Sequence, residues 1–381
     1  MVILFALWLY RVDFIVADEG GVAKALQVVT IFGMLGLVMW YRKKVIWQAF
    51  GRSNASIKSF LWLYMFGIFS TAWAFWPTFA FFLSFQNIVL VFVMLWLFSL
   101  ARTFEDMERL FLVFAVSTSL FEVVFERLHG GGLFIHHLAG GSSAAILISY
   151  CAGELLSGNH RKSRGRKRLL RQTLMLSLFV LITSTSSGAN ASAVCGIGVA
   201  LFLSGKIYYA FPLVVLALFV FFNQDKIDDL LLLIMPGKTK EVLESGNGRD
   251  TIWRGIFAVT AQRMWYGWGF ACGERAASLH LNWTLSDAHN NYVGMYGGLG
   301  LTGVVLLLIH QVVTLWTVFL RRLKKGYLGL FSALCCVTLN GYSYGYLSGK
   351  ACSITVIYVS LLVLALYYRK LERVRHDESA E

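Results

Sequence analysis

Residues 286–316 read SDAHNNYVGMYGGLGLTGVVLLLIHQVVTLW, and their character changes within the length of one helix. Asp287, His289, Asn290 and Asn291 are polar, glycines then recur every third residue, and the end is apolar. Titratable groups at the edge of hydrocarbon are costly, so this order predicts a functional imidazole at the mouth of a membrane-spanning helix. Glycines on one helix face let a second helix or a substrate approach closely. The helix N-terminus favours an anionic ligand.

The composition of the whole chain is typical of an α-helical membrane protein. Of its 381 residues, 57% are hydrophobic and 14% are charged, and the mean hydropathy is +0.64. Soluble domains contain about 25% charged residues. A spanning helix needs about 20 mostly apolar residues. Twelve segments approach that length: Val2–Val16, Ala23–Trp40, Phe60–Trp76, Phe79–Leu100, Leu110–Phe125, Leu138–Leu156, Leu169–Ser184, Ala189–Ser204, Ile207–Phe222, Asn291–Leu320, Tyr327–Leu347 and Ile354–Tyr368. We therefore predict an all-α, polytopic bundle of about twelve transmembrane helices.

The distribution of basic residues predicts the orientation of this bundle. Lysines and arginines cluster at 42–58, 102–109, 161–171, 206, 321–325 and 369–375. With twelve spans, every cluster falls on one side of the membrane. Because basic loops stay in the cytoplasm, both termini are predicted to be cytoplasmic.

The formal net charge of +13 is also compatible with binding to nucleic acid. No soluble fold is predicted to present the basic run Asn159–Arg171, however, and we expect no nucleic-acid partner. Contact of this run with anionic membrane lipids accounts for its charge.

The twelve spans form one integral membrane domain that is interrupted by a long outward loop. The N-terminal helices, the loop, and the C-terminal helices with their tail occupy residues 1–222, 223–290 and 291–381. Within the loop, Asp250–Arg263 is predicted to form an amphipathic helix. Arg249 at its start and His289 at the start of the next helix are both expected at the outer rim of the membrane.

Two blocks in this region resemble the bacterial O-antigen ligase and O-antigen/exopolysaccharide polymerase superfamily. The later block, HNNYVGMYGGLGLTG, matches the pattern at His289, Asn290, Gly300 and Gly303. The earlier block, NGRDTIWRGIFAVTAQRMWYGWGF (residues 247–270), matches at Arg249, Trp253, Gly267 and Gly269.

The resemblance implies a metal-independent glycosyltransferase without a cofactor, located in the bacterial inner membrane with its active site facing the periplasm. It would transfer a glycan from undecaprenyl pyrophosphate to a sugar hydroxyl. By resemblance, Arg249 binds the pyrophosphate through its planar guanidinium, which can donate two parallel hydrogen bonds. His289 takes the proton of the acceptor hydroxyl, and Asn290 orients the substrate. The alternatives are a snorkelling or helix-capping arginine and an interfacial histidine that binds a loop.

The chain departs from the family in one respect. Ligases of this family often carry a second arginine after a serine-rich turn, whereas residues 183–193 read TSTSSGANASA. Either Ser187, Asn190 and the backbone N–H groups of this turn bind phosphate, or another cation replaces the arginine. Arg254, Arg263, Lys238 and Lys240 in the loop are candidates.

His136 and His137 lie at the start of another predicted outward helix. Two adjacent histidines are half of a metal site, but the sequence offers no matching further ligands. We expect them to bind a sugar or a loop, and we predict no metal.

The acceptor decides between two enzymes. A polymerase extends a lipid-linked repeat unit of O-antigen or exopolysaccharide. The sequences GRDTIW and DAHNNY, together with the missing arginine, favour a polymerase. A ligase attaches finished glycan to lipid A–core. A chain-length regulator is a further expected partner. A polysaccharide transporter or flippase is disfavoured because it should place charges or broken helices in mid-membrane.

Overall fold

The computed structural model describes nine stretches of the chain. They are residues 22–51, 55–130, 138–157, 163–184, 186–211, 249–281, 288–324, 326–349 and 351–378. All the regular secondary structure in these stretches is helical, and they contain no strand, which confirms the predicted all-α class. The predicted span Val2–Val16 and most of Ile207–Phe222 lie outside the described residues.

Twelve α-helices lie in the described part of the chain. They are α1 (Val22–Gly51), α2 (Ala55–Phe69), α3 (Pro77–Ser99), α4 (Phe104–Gly130), α5 (Leu138–Leu156), α6 (Arg164–Ser184), α7 (Ser187–Leu203), α8 (Arg249–Thr260), α9 (Gly273–Leu281), α10 (Asn291–Phe319), α11 (Tyr327–Asn340) and α12 (Ser353–Glu378). Short 3-10 turns occur at Ser70–Ala72, Ile207–Ala210 and Ala261–Arg263.

Two of these helices, α3 and α10, are long and apolar enough to cross a membrane by length and composition. Shorter apolar helices occur at Val28–Tyr41, Ser187–Leu203, Tyr327–Asn340 and Ser353–Arg369. The apolar helices are consistent with a membrane protein. The twelve helices are not the twelve predicted spans, because α8 and α9 belong to the predicted loop. The count of twelve spans and the positions of the termini stay predictions.

Helix α12 is the centre of the bundle. Its residues 353–368 are buried all round, and it packs against α2, α3, α4, α5 and α11. A helix that is hydrophobic on every face lies in a protein core or spans a membrane.

The bundle has two recognisable ends. At one, Tyr368 of α12 stacks on Phe104 with ring centroids 4.2 Å apart and meets Tyr327 at 5.7 Å. We call this the tyrosine end. At the other, Trp73 Nε1 donates to the carbonyl of Tyr266 at 2.9 Å, and several indole rings gather. We call this the tryptophan end. Tyr368, Phe104 and Tyr327 adjoin the basic clusters at 369–375, 102–109 and 321–325, so the structure brings these clusters to one end.

A buried ion-pair cluster joins three helices at the tyrosine end. Arg166 of α6 contacts Glu108 of α4 and Glu154 of α5, with Nη2–Oε distances of 2.7 and 2.5 Å. The three residues are 5%, 1% and 0% exposed. Tyr150 donates to Glu108 at 2.8 Å. Removing one member would leave an uncompensated buried charge, so the cluster fixes α4, α5 and α6 relative to one another.

Helix α10 is bent sharply at Gly300, which has φ +65° and ψ −160°. Tyr292 donates to Oε1 of Gln311 at 3.1 Å although the two residues are 19 positions apart. A straight helix would separate them by about 28 Å. The predicted single span Asn291–Leu320 is therefore two arms that fold towards each other. We call residues 291–299 the short arm and residues 301–319 the long arm.

Candidate functional site

The two blocks that carry the family resemblance pack against each other at the bend of α10. The amide of Trp268 donates to the carbonyl of Gly297 at 3.1 Å, and the amide of Leu301 donates to Met264 at 2.7 Å. A Cβ on Gly267 would lie 2.7 Å from the backbone nitrogen of Gly300. The glycines thus let two stretches of backbone approach within hydrogen-bonding distance. The sequence left open whether a helix or a substrate covers this glycine face, and the structure shows that the chain's own loop does.

Helix α8 carries Arg249 into the same region as His289. Arg249 is the first residue of α8, and Trp253 lies one turn later on the same face. Trp253 Nε1 donates to the carbonyl of Ala288 at 2.9 Å, and Ala288 is the residue before His289. The structure therefore brings the start of α8 alongside the His289 segment.

A small apolar cluster holds this arrangement in place. Its buried members come from α8, α9, the residue before His289 and the start of α10, and they are Ile256, Val259, Ala276, Ala277, Ala288 and Val293. Because the cluster is separate from the main core, α8 and α9 form a cap that packs on the tryptophan end.

His289 has an uncommon backbone conformation, with φ +49°. Histidine is one of the few residues other than glycine that enter this region with some frequency. Such strain persists only where the surroundings enforce it, and it is common at functional sites. Here the hydrogen bond to Ala288 on one side and the helix start on the other enforce it.

Asn290 is the N-cap of the short arm. Its Oδ1 accepts from the amides of Tyr292 at 2.8 Å and Val293 at 3.1 Å, and the residue is 1% exposed. The side chain therefore satisfies orphan donors of the helix. Its predicted role in orienting substrate stays a prediction, and the cap orients the backbone next to His289.

The start of α7 approaches the same place from the other side. Gly188 lies against Ser343, since a Cβ on Gly188 would be 2.6 Å from the Cβ of Ser343. The residue before Ser343, Tyr342, meets Trp253 edge to face with ring centroids 5.8 Å apart. Ser187 and Asn190, on either side of Gly188, are exposed. The structure thus brings these two predicted residues towards the face of α8 that carries Trp253.

The remaining predicted residues are placed differently. The guanidinium of Arg263 lies 4.2 Å above the ring of Trp268, and its Nη1 donates to Trp73 at 3.3 Å, so its contacts hold the tryptophan end together. Arg254 is exposed on α8. Outside the described residues lie His136, His137, Lys238 and Lys240. Within the described stretches, no group of three His, Cys, Asp or Glu side chains is arranged to hold a metal ion.

The structure adds two charged residues that the sequence reasoning did not place in the site. Glu274, in the first turn of α9, is 6% exposed, and its Oε1 is 3.2 Å from where Gly294 of the short arm would carry a Cβ. Arg275 lies 3.7 Å above the ring of Phe79, and burial lowers the pKa of its guanidinium. In the sequence, both charges follow the Gly-x-Gly element after an interval of four residues, and their burial could not be read from that position.

These observations define a helical protein with apolar helices and a polar loop folded into one end of the bundle. Residues 172–308 match a family model that is described as O-antigen ligase. This segment runs from α6 to the long arm of α10 and contains Arg249 and His289, and the match confirms the resemblance to the O-antigen ligase and polymerase superfamily. The family implies glycosyltransferase-type activity on glycan and lipid-linked substrates. A search of the curated proteins found no match to the chain.

Proposed function

We propose that this protein is a membrane-embedded glycosyltransferase that transfers a glycan from undecaprenyl pyrophosphate to a sugar hydroxyl at the periplasmic face. The observation that carries the proposal is the hydrogen bond from Trp253 to Ala288, which ties the helix of Arg249 to the residue before His289. A fixed cation and a neutral base are the two groups that this reaction requires.

The chemistry assigns one role to each group. The acceptor oxygen bonds to the anomeric carbon, and the bond from that carbon to the pyrophosphate oxygen breaks, with its electron pair going to the leaving group. The imidazole of His289 takes the hydroxyl proton. Such general base catalysis typically increases the reaction rate by about 10²–10⁴-fold. Arg249 binds the phosphate oxygens by two parallel hydrogen bonds as their charge grows.

The position of the two groups supports a site at the membrane boundary. Arg249 begins the cap helix α8, and His289 follows Ala288, which packs with the cap at the tryptophan end, opposite the end that gathers the basic clusters. Tryptophan and tyrosine favour the boundary between membrane and water, and basic loops favour the cytoplasm. This supports a cap that faces the periplasm.

We propose polymerisation of O-antigen or exopolysaccharide repeat units as the reaction. The start of α7 has Ser187 and Asn190 where ligases of the family often carry an arginine. Ligation of glycan to lipid A–core is the second candidate, and the description of the matching family model favours it.

The test uses His289→Ala and Arg249→Ala with Arg168→Ala as the matched control, because Arg168 is exposed on α6 near the tyrosine end. With purified protein and lipid-linked donor, each site variant should lose at least about 100-fold in kcat/KM, and the control should lose nothing. Full transfer by either site variant would remove that residue from the mechanism. Transfer should also persist in EDTA, and loss that Mg²⁺ restores would overturn metal independence.

The glycan profile of a deletion strain separates the two candidates. Single repeat units capped on core indicate a missing polymerase. Long chains stranded on carrier lipid indicate a missing ligase.

A further inference from the structure

Tyr342 is an exposed aromatic ring in a segment that is otherwise packed. It lies just after α11, and 59% of the residue is exposed. Gly341 before it and residues 346–348 after it are buried. The stretch GYSYGYLSG (residues 341–349) is non-helical backbone between two apolar helices. In a membrane protein such backbone is tolerated where it is buried in protein or lines a cavity.

The backbone that carries the ring is held by hydrogen bonds. The amide of Gly341 donates to Val337 at 3.1 Å, and the amide of Tyr342 donates to Leu339 at 3.0 Å. Ser343 Oγ donates to the carbonyl of Asn340 at 3.1 Å. The turn is therefore a rigid continuation of α11. Because the backbone is already ordered, a ligand that stacks on the ring has only the side chain of Tyr342 left to immobilise.

The second side of the feature is Trp253. Its indole meets the Tyr342 ring at 80° with centroids 5.8 Å apart, and its N–H is used by Ala288. The two rings therefore meet edge to face, and we call the angle between them the corner. Because Trp253 is anchored to the residue before His289 and follows Arg249 by one helical turn, the corner lies beside the two segments that carry the proposed catalytic groups.

Neutral polar residues approach the corner from α7. Ser187 and Asn190 of α7 are exposed, and Gly188 between them packs on Ser343. A pyranose ring has a face of C–H groups that stacks on an aromatic ring, and hydroxyls at its edge that bond to hydroxyl and amide groups. A corner of two aromatic rings beside a serine and an asparagine offers both kinds of contact.

We propose that Tyr342 and Trp253 form a platform for one sugar ring of the glycan substrate, with Ser187 and Asn190 bonding to its hydroxyls. The proposal rests on the proposed function and adds the residues that position the neutral part of the substrate. Arg249 serves the anionic part, so the platform and the arginine divide the two halves of a phosphoryl glycan between them.

The test compares Tyr342→Leu with Tyr342→Phe. Leucine keeps an apolar side chain for lipid contact but has no ring face, whereas phenylalanine keeps the face and loses only the hydroxyl. Tyr208→Leu is the matched control, because Tyr208 is also exposed, at 62%, and lies near Lys206, which bonds to Leu156 at the end of α5. The probe is the oligosaccharide repeat unit released by mild acid from the host's own carrier lipid.

Two quantities are measured for each variant in detergent: the Kd for the free oligosaccharide by calorimetry, and kcat and KM for transfer. Tyr342→Leu should raise the Kd and the KM by about tenfold with kcat changed less than twofold, since an aromatic contact is worth up to about that factor. Tyr208→Leu should match the parent, and Tyr342→Phe should restore most of the binding that Tyr342→Leu loses. If the leucine variant does not fold, Tyr342→Met replaces it with an unbranched apolar chain.

The outcomes separate this proposal from the proposed function. Unchanged Kd and KM in a folded Tyr342→Leu would overturn the platform and leave an interfacial tyrosine that contacts lipid, while transfer by the parent would still support the glycosyltransferase. Oligosaccharide binding that depends on Tyr342, without any transfer by the parent, would support the platform and refute the enzyme.

Discussion

Gly300→Ala tests whether the sharp bend of α10 depends on glycine. Gly300 has φ +65° and ψ −160°, a region that is essentially restricted to glycine. Forcing another residue into it costs about 1–3 kcal/mol.

The added methyl group also has no space. It would lie 2.5 Å from the carbonyl carbon of Trp265 and from the amide nitrogen of Tyr266. Both are backbone atoms of the segment that accepts a hydrogen bond from Leu301, so they cannot rotate away. Overpacking of this kind costs about 1–3 kcal/mol. The two effects together predict a loss of about 2–6 kcal/mol, a large part of a total stability of about 5–15 kcal/mol.

Two other glycines separate the causes. A Cβ on Gly198, inside α7, meets nothing within 4 Å, and its φ is not positive. Gly198→Ala should therefore be neutral or slightly stabilising, because alanine favours a helix. Gly205 has φ +70° and also meets nothing within 4 Å. Gly205→Ala isolates the conformational cost, about 1–2 kcal/mol.

The assay is the temperature at which half of the detergent-purified protein leaves the monodisperse peak in size-exclusion chromatography after heating. The expected melting temperature is highest for Gly198→Ala, lower for Gly205→Ala and lowest for Gly300→Ala. If Gly300→Ala melts with Gly198→Ala, the bend does not depend on the backbone contact between the two motif blocks, and the reasoning fails. If Gly300→Ala melts at the same temperature as Gly205→Ala, the backbone conformation accounts for the whole loss and the steric contact adds nothing.

Three further substitutions test other contacts. Arg166→Gln leaves two carboxylates buried without their cation and should cost about 3–5 kcal/mol of stability. The control Arg168→Gln, at an exposed position, should melt like the parent. Equal melting temperatures of the two variants would contradict a structural role for the cluster. Trp253→Phe keeps the ring but removes the donor to Ala288, so a loss of about 1 kcal/mol and a lower kcat in the transfer assay are expected, and an unchanged kcat would show that this bond does not position the site. Gly267→Ala should destabilise as Gly300→Ala does, because its methyl group meets the same backbone from the opposite side, and a parental melting curve would refute this.

Much of the helical content was readable from apolar length. Leu138–Leu156 begins and ends in the structure at the predicted residues, and Phe79–Leu100 corresponds to α3, Pro77–Ser99. The amphipathic helix predicted over Asp250–Arg263 is α8 followed by a 3-10 turn that ends at Arg263. In each case the signal is local, since the spacing and length of apolar residues determine which helix can bury its surface.

The bend of α10 was not readable in the same way. The run from Asn291 to Leu320 has the length and hydropathy of a single span, and hydropathy contains no information about direction. The reversal depends on Gly300 facing the backbone of residues 264–266, which are about 35 positions away. Glu274 was missed for a related reason, because its burial against Gly294 exists only after α9 packs on the short arm.

The sequence by itself determined that this protein is all-helical and apolar, that its basic residues occur in a few clusters, and that its motifs resemble one superfamily, because these properties depend on residue type and local spacing. Only the tertiary structure decided that the glycines of two motif blocks face each other, that Trp253 ties the Arg249 helix to the His289 segment, and that Tyr342 lies at that corner. Those relations join residues dozens of positions apart, and they arise from backbone packing and hydrogen bonds between elements that no local pattern encodes.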